Sequence, residues 1–211
     1  MTQALPGNHD EHRAEHRAFL NRYYGISRFF YDVTRKYYLF GRDTALRQLA
    51  ADPLWTRLIE IGPGTGRNLK WLRRARPNAR LGGIEASDAM LAHAQKRCPW
   101  ATLRQGFAET APLAEVLDGR PDRILFSYCL SMVKDRAGAL AHARRSLAPN
   151  GEVIVVDFAD FGGFPGGLAA PFRGWLRTFH VEPLDAAALA GAKSTTFGPG
   201  HYFVIAKFPP G

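Results

Sequence analysis

The chain has 211 residues, of which 46% are hydrophobic and 22% are charged, and this suits one globular domain with a small extra subdomain. Two cysteines are too few for a disulfide framework, so we expect a reducing, cytoplasmic compartment. The N-terminus lacks the apolar stretch of a secretory signal, and no apolar run is long enough to predict a membrane span. The net charge of +9 favours an anionic partner: nucleic acid, an anionic membrane surface or an acidic small molecule.

The first predicted element is a basic and aromatic helix within residues 28–43, RFFYDVTRKYYLFGRD. Helical spacing places apolar side chains on one face and charged or tyrosine side chains on the other. We interpret residues 1–50 as a helical lid and substrate cap over a binding site in residues 51–211. The alternative is an amphipathic helix that only packs on the sheet.

From residue 56 onward, strand and helix patterns alternate, which predicts a parallel sheet with helices on both faces. The predicted strands are RLIEI (57–61), RLGGIEA (80–86), ATLRQG (101–106), DRILFSYCLSM (122–132, a long buried strand) and EVIVVDFAD (152–160). The predicted helices are GRNLKWLRRA (66–75), DAMLAHAQKRC (88–98, capped by Ser87) and DRAGALAHARRSLA (135–148). Residues 195–208 predict a hairpin that turns at 198–200. The fold class is therefore α/β: a doubly wound, mostly parallel Rossmann-like sheet with an antiparallel C-terminal hairpin and an N-terminal helical lid.

Ligands of such sheets bind at the carboxyl ends of the strands, and the first strand ends in the glycine-rich sequence EIGPGTGRN. The spacing is G-x-G-x-G, whereas dinucleotide binding needs G-x-G-x-x-G. Glu60 disfavours a phosphate and suits an ammonium group. Glu85 ends the second strand and suits ribose hydroxyls. A ligand with a ribose, an ammonium and no phosphate is S-adenosylmethionine; the alternative is that the glycines only make a tight turn.

Over about residues 56–158 these motifs resemble the class I S-adenosylmethionine-dependent methyltransferases. The resemblance implies a glycine loop around the methionine part of the cofactor, an acid on its ribose, an adenine pocket at the ends of the second and third strands, and a methyl-transfer site at the end of the fourth. Phe107 departs from the family, because many members have an Asp there. The implied cofactor residues are Tyr38, Arg42, Glu60, Gly62, Gly64, Gly66, Glu85, Ala86, Met90, Gly106, Phe107, Ala108, Ser127 and Tyr128.

The flanking segments RFFYDVTRKYYLFGRD, SYCLSM, VVDF and WLRTFHVEP narrow the match. Together they look like the bacterial diacylglyceryl-homoserine N-methyltransferases of betaine-lipid synthesis. The resemblance implies three successive methyl transfers to the homoserine amine of a lipid headgroup, by an enzyme that is cytoplasmic or peripheral on the inner face of the cell membrane. A looser form of the N-terminal pattern occurs in quinone C-methyltransferases.

The substrate roles follow from this resemblance and from cation–π attraction between aromatic rings and a methylated ammonium. Tyr24, Tyr31, Arg35 and Tyr128 would contact the substrate, and Arg42 would pair with a carboxylate. Tyr128 is the first candidate for orienting the amine. His180 is the second candidate for a catalytic role, against a structural alternative.

Two further segments suggest contact with lipid. Residues 161–179 read either as a flap that touches acyl chains, with Arg173 and Arg177 near phosphates, or as an ordinary loop and helix. The basic run RNLKWLRRARPNAR, residues 67–80, is either a solvated helix face or a surface near lipid phosphates. No metal site is expected.

Three functions remain open at this point. The first is the lipid-headgroup amine methyltransferase. The second is a methyltransferase for another small molecule, such as a quinone or a secondary metabolite. The third is a basic nucleic-acid-binding protein, against which the sequence shows no recognition helix, zinc spacing or RNA-binding signature.

Overall fold

A seven-stranded sheet organises residues 39–165, 167 and 169–211, which are the residues that this computed structural model describes. The strand order is β3-β2-β1-β4-β5-β7-β6. The first five strands pair in parallel, and β6 and β7 pair antiparallel. The strands are β1 Arg57–Ile61, β2 Arg80–Glu85, β3 Thr102–Gln105, β4 Arg123–Ser127, β5 Glu152–Phe158, β6 Ser194–Phe197 and β7 Phe203–Phe208.

Helices connect the parallel strands, and local sequence sets where they begin. Gly66 precedes one helix in the left-handed region, and the Ser87 hydroxyl accepts a hydrogen bond from the Met90 N–H at the start of another. The helices of the described residues are α1 Arg42–Ala51, α2 Arg67–Ala75, α3 Asp88–Arg97, α4 Leu113–Val116, α5 Arg136–Ser146 and α6 Ala169–Arg177, with 3-10 turns at Leu130–Met132 and Pro199–His201.

Apolar side chains cover both faces of the sheet, as expected for parallel strands. One core layer includes Ile59 and Phe126 packed with residues of α4 and α5. The other includes Leu58 packed with residues of α1, α2 and α6. Because strand order reverses between β1 and β4, the carboxyl ends of these two strands form the crevice in which ligands of such folds bind.

The predicted fold class is confirmed for the sheet and the C-terminal hairpin. The prediction of one long strand over residues 122–132 is wrong, because β4 ends at Ser127 and Tyr128 adopts φ 52°. A left-handed residue cannot continue an extended strand, and the chain turns into the 3-10 turn Leu130–Met132 instead.

The predicted lid lies mostly outside the described residues, and the proposed boundary between residues 50 and 51 stays a prediction. Within the described residues, no helix combines the length and the apolar character needed to cross a membrane.

Candidate functional site

The glycine loop between β1 and α2 needs glycine for its backbone conformation. Gly62, Gly64 and Gly66 have φ values of 65°, 56° and 76°, where L-residues with side chains are strained. The Gly62 N–H donates to the Ile84 carbonyl at 2.8 Å, which holds the loop against β2. A Cβ on Gly62 would lie 2.5 Å from the Cys129 Sγ. The loop is therefore closely packed at Gly62 and has no room for a side chain there.

The Glu85 carboxylate links the glycine loop to the next strand-to-helix connection. Its Oε2 accepts the Gly64 N–H at 2.9 Å, and its Oε1 accepts the Ser87 N–H at 3.0 Å. Glu85 is buried, so these charge-assisted hydrogen bonds fix where its negative charge lies. A fixed carboxylate at the carboxyl end of β2 fits the hydroxyls of a ribose.

Glu60 brings a second buried carboxylate to the same edge of the sheet. Its Oε1 accepts a hydrogen bond from the Asn68 Nδ2 at 2.7 Å. Asn68 lies in the first turn of α2 and escaped the sequence analysis, although it follows the last glycine of the loop by two residues. A carboxylate here suits an ammonium rather than a phosphate.

The residues predicted for the adenine pocket lie at the ends of β2 and β3. The Gly106 N–H donates to the Glu85 carbonyl at 3.1 Å, so the two strand ends are adjacent. Met90 is buried in α3, and Ala108 is buried beyond β3. The Phe107 carbonyl accepts the Ala111 N–H at 3.0 Å, while Ala86 is half-buried. These positions fit the pocket, and their contacts with adenine stay predictions.

Ser127 ends β4 and Tyr128 follows it, beside the glycine loop across the β1–β4 pair. Both are buried. The Tyr128 N–H donates to the Val156 carbonyl at 2.8 Å, and the Tyr128 hydroxyl donates to the Phe40 carbonyl. The Tyr128 ring meets the Phe158 ring edge-on, with 4.8 Å between centroids. The Tyr128 ring therefore lies against Phe158, at the end of β5.

Asp157 also escaped the sequence analysis, because it looks like one polar residue in an apolar strand. It is fully buried, and its Oδ2 accepts the Ser131 N–H at 3.0 Å while its Oδ1 accepts the Phe158 N–H at 2.8 Å. This carboxylate ties β5 to the 3-10 turn that follows Tyr128. Its position as a polar residue inside the apolar run of EVIVVDFAD was the signal that could have pointed to it.

Both cysteines lie close to the glycine loop. The Cys98 thiol donates to the Gly66 carbonyl, with 3.3 Å between Sγ and O. Burial raises the pKa of the Cys98 thiol, which keeps it protonated and unreactive at neutral pH.

The other predicted site residues lie outside these strand ends in sequence. Arg42 is buried at the start of α1, and its Nε lies 3.3 Å from the Asp43 Oδ1. His180 is exposed in the turn after α6, where its N–H donates to the Arg177 carbonyl at 3.0 Å. Their proposed roles stay predictions. Tyr24, Tyr31, Arg35 and Tyr38 lie outside the described residues. Among the residues described, no group of three His, Cys, Asp or Glu side chains is arranged to hold a metal ion.

Comparison with known proteins identifies the family. A family profile described as a methyltransferase domain matches residues 31–204. Trans-aconitate 2-methyltransferase of Methylobacterium nodulans is 30% identical over 139 residues, which cover 66% of this chain and 50% of that enzyme. Demethylmenaquinone methyltransferase of Tropheryma whipplei (strain Twist) is 31% identical over 174 residues, which cover 78% of this chain and 66% of that enzyme. The chain thus spans about half the length of the trans-aconitate enzyme.

Solved structures support the same conclusion. An amino pentose methyltransferase from Micromonospora echinaspora, solved with S-adenosylmethionine bound, has a TM-score of 0.50 and 25% identity over 62% of this chain and 55% of its own. A possible histamine N-methyltransferase from Thermotoga maritima shares the fold, with a TM-score of 0.64 and 22% identity over 89% of this chain and 99% of its own. Since the family profile spans most of the chain and the glycine loop, Glu60 and Glu85 fit the cofactor, the chain belongs to the class I S-adenosylmethionine-dependent methyltransferases.

Proposed function

We propose that this methyltransferase adds methyl groups, three in succession, to the homoserine amine of diacylglyceryl-homoserine and so makes a betaine lipid. The named relatives act on small molecules, and a lipid headgroup amine is a finer assignment than they provide. The observation that carries the proposal is a cluster of aromatic rings that includes Tyr128. It lies at the edge of the sheet that also holds the glycine loop.

This aromatic cluster begins where β4 and β5 end. The centroids of Tyr128 and Phe158 are 4.8 Å apart, and those of Phe158 and Tyr202 are 5.8 Å apart. Phe158 ends β5 and pairs with Phe203, the first residue of β7, so Tyr202 arrives at the same edge. The cluster comprises Phe40, Tyr128, Phe158, Phe161, Phe172, Trp175 and Tyr202.

An aromatic acceptor site suits an amine that gains methyl groups. Each methyl group removes a hydrogen-bond donor from the nitrogen, and a trimethylammonium keeps its charge without any donor. Aromatic faces attract such a cation by roughly 0.5–2 kcal/mol each, more strongly when water is excluded. A site built mainly from hydrogen-bond acceptors would favour the unmethylated amine and hold back the later transfers.

The chain's own residues must position and deprotonate this amine. When bound, the cofactor supplies an electrophilic methyl group on its sulfonium. Only the neutral amine attacks, so one proton has to leave the nitrogen before each transfer. Because the Tyr128 hydroxyl donates its hydrogen bond to the Phe40 carbonyl, its oxygen lone pairs can accept an amine N–H and orient the nitrogen. His180 is the proposed route by which the proton leaves.

The lipid tails would extend along α6. The Phe172 and Trp175 rings pack together with 5.4 Å between centroids, and Trp175 remains 41% exposed. Arg173 and Arg177 are exposed on the same helix. This combination of aromatic and cationic side chains suits the interface between acyl chains and headgroups.

The N-terminal segment completes the proposal. Tyr24, Tyr31 and Arg35 would line the headgroup side of the acceptor site, and Tyr38 and Arg42 would contact the cofactor. A lid over the site would exclude water from the amine, which lowers its pKa and helps the attack.

A quinone is the second candidate acceptor. The demethylmenaquinone methyltransferase of Tropheryma whipplei is similar over 78% of this chain, and an aromatic cluster also suits stacking on a quinone ring. The two acceptors differ at the reacting atom, which is nitrogen in the lipid and carbon in the quinone.

One assay decides between them. The purified chain and isotopically labelled S-adenosylmethionine are incubated in parallel with detergent-dispersed diacylglyceryl-homoserine and with demethylmenaquinone. The masses of the products are then measured by mass spectrometry. We expect the homoserine lipid to gain one, two and three methyl groups. Transfer to the quinone alone would replace the first candidate by the second. Cofactor binding measured by calorimetry without transfer to either acceptor would refute both.

A further inference from the structure

We propose that the exposed face of α2, together with the turn that follows α3, docks on an anionic lipid bilayer. We call this surface the docking face and define it by Arg67, Lys70, Trp71, Arg73, Arg74 and Trp100. The inference deepens the proposed function, since a lipid acceptor resides in a bilayer, and it rests on that function only for the choice of partner. It concerns a surface outside the acceptor site and is tested without methyl transfer.

The cations of α2 form a continuous stripe. Arg67, Lys70, Trp71 and Arg74 are exposed and follow the spacing that places residues on one side of a helix. Asn68, Leu69 and Leu72 occupy the buried side. The helix carries no carboxylate, and among the residues that the structure describes, Arg67, Lys70 and Arg74 form no ion pair. Their charges are therefore available to an external partner.

Two tryptophans lie within this basic surface. Trp71 and Trp100 are each 38% exposed, and the Arg73 guanidinium lies 5.2 Å from the centroid of the Trp100 ring. Arg76 contrasts with these residues, because it stacks on the buried Trp55 and its Nη2 donates to the Trp55 carbonyl at 2.8 Å. Arg76 thus supports the fold, whereas the docking face presents its cations and indole rings to the outside.

The chemistry of this surface matches the headgroup region of a membrane. Lysine and arginine are attracted to phosphates there, and tryptophan prefers the boundary between polar and apolar layers. A nucleic acid would also attract the cations, but binding of its bases requires open aromatic faces. One face of Trp100 is covered by Arg73, so the arrangement favours a lipid surface.

The docking face adjoins the cofactor site. Gly66 is both the last glycine of the loop and the residue that precedes α2. Next to it, the Arg97 Nη1 donates to the Thr65 Oγ1 in the loop at 2.7 Å. Docking through α2 would therefore hold the cofactor edge of the sheet close to the membrane.

The test is binding of the full chain to vesicles, without cofactor or acceptor lipid. Sedimentation is compared for vesicles of phosphatidylcholine alone and of phosphatidylcholine mixed equally with phosphatidylglycerol. We expect binding to the anionic vesicles only, with a loss at high salt. The double variant Lys70→Gln and Arg74→Gln should bind the anionic vesicles about 30-fold more weakly, since each of the two cations contributes a similar factor to the binding constant and the two factors multiply.

A matched control removes the same charge elsewhere. Arg145→Gln combined with Lys193→Gln changes two exposed cations outside the docking face and should bind like the parent chain. Calorimetric cofactor binding by all variants confirms that they fold. The proposal is overturned if the parent chain does not bind anionic vesicles at low salt, or if the two double variants bind these vesicles equally well. It is also overturned if the docking-face variant loses affinity for RNA but keeps its affinity for vesicles. Failure of methyl transfer to the homoserine lipid would leave these results unaffected.

Discussion

At the scale of single residues, the contact between Gly62 and Cys129 makes the glycine loop sensitive to one added methyl group. We expect Gly62→Ala to weaken cofactor binding and to destabilise the chain. The new Cβ would lie 2.5 Å from the Cys129 Sγ, and alanine at φ 65° costs about 1–2 kcal/mol by itself. Calorimetry with S-adenosylmethionine and urea unfolding measure the two effects.

A second substitution separates these causes. Adding Cys129→Ala to Gly62→Ala removes the sulfur and should restore part of the lost stability, because only the backbone strain and a contact of 3.1 Å to the Cys129 Cβ remain. If the double variant were as unstable as Gly62→Ala, the close approach would not be the cause.

Glu85 carries the second residue-scale prediction. Glu85→Gln keeps the shape of the side chain but replaces one acceptor oxygen by an NH₂ group, which cannot accept the N–H of Gly64 or of Ser87, whichever it faces. The substitution also removes the charge from the predicted hydrogen bond to the ribose, and a hydrogen bond to a charged group contributes about 1.5–3 kcal/mol, so we expect roughly 10- to 100-fold weaker binding of S-adenosylmethionine by calorimetry. Glu115→Gln, on the exposed side of α4, is the control. Unchanged affinity in Glu85→Gln would exclude this carboxylate from the cofactor site.

The sequence predicted the site residues that strand ends and glycine spacing mark, and it missed those that depend on tertiary register. Glu60 and Glu85 could be chosen because each acid lies at or next to the end of a predicted strand. Asn68 could not be chosen, since only the folded structure shows that its side chain donates to Glu60, eight residues earlier. The contact of Gly62 with Cys129 likewise arises only when β4 pairs beside β1.

At the scale of elements, β4 was predicted too long because an apolar run does not reveal where the backbone turns. Residues 122–132 are rich in apolar and aromatic side chains from end to end, which suits a buried strand. Tyr128 adopts a left-handed conformation and leads into the 3-10 turn Leu130–Met132, which Asp157 holds through the Ser131 N–H.

This turn gives the third prediction. Asp157→Asn places an amide NH₂ opposite one of two buried N–H donors, so we expect a loss of about 1–3 kcal/mol in the free energy of unfolding. Methyl transfer should fall further than cofactor affinity, because the turn positions Tyr128. Urea unfolding, calorimetry and the mass assay measure the three quantities.

Ser131→Ala is the matched control for Asp157→Asn. Among the described residues, the buried Ser131 hydroxyl has no hydrogen-bond partner, and alanine retains the backbone N–H that Asp157 accepts. Stability should therefore be unchanged or slightly higher. A comparable loss in both variants would show that packing, rather than the carboxylate, fixes the turn.

At the scale of the whole molecule, the two edges of the sheet have different tasks. The carboxyl ends of the parallel strands hold the residues that are predicted to bind the cofactor. At the opposite edge, the Arg123 Nη2 lies 2.6 Å from the Asp52 Oδ2, and the Asp122 Oδ2 accepts the N–H groups of Thr56 and Arg57 at 2.7 and 2.9 Å. These carboxylates join the end of α1 to the starts of β1 and β4, so they belong to stability rather than to binding.

The fourth prediction is an acid-dependent loss of stability that originates at this opposite edge. Partial burial alone would raise the pKa of Asp52, but the Leu54 N–H and the Arg123 guanidinium outweigh it and lower that pKa. Burial alone would also raise the pKa of Asp122, but hydrogen bonds from the N–H groups of Thr56 and Arg57 outweigh it and lower that pKa. A depressed folded-state pKa stabilises the fold above the unfolded value of about 4, and the contribution is lost as pH falls through the folded-state pKa.

The free energy of unfolding should therefore decline as pH falls below about 4, and the double variant Asp52→Asn and Asp122→Asn should decline less steeply from a lower starting value. Urea unfolding at a series of pH values measures both curves. Asp118→Asn, whose carboxylate is 85% exposed, should follow the parent chain. Because the residues predicted to bind the cofactor lie at the other edge, the double variant should bind S-adenosylmethionine at neutral pH as the parent chain does. Weakened binding in that variant would mean that the two edges are energetically coupled and that the sheet does not separate stability from function.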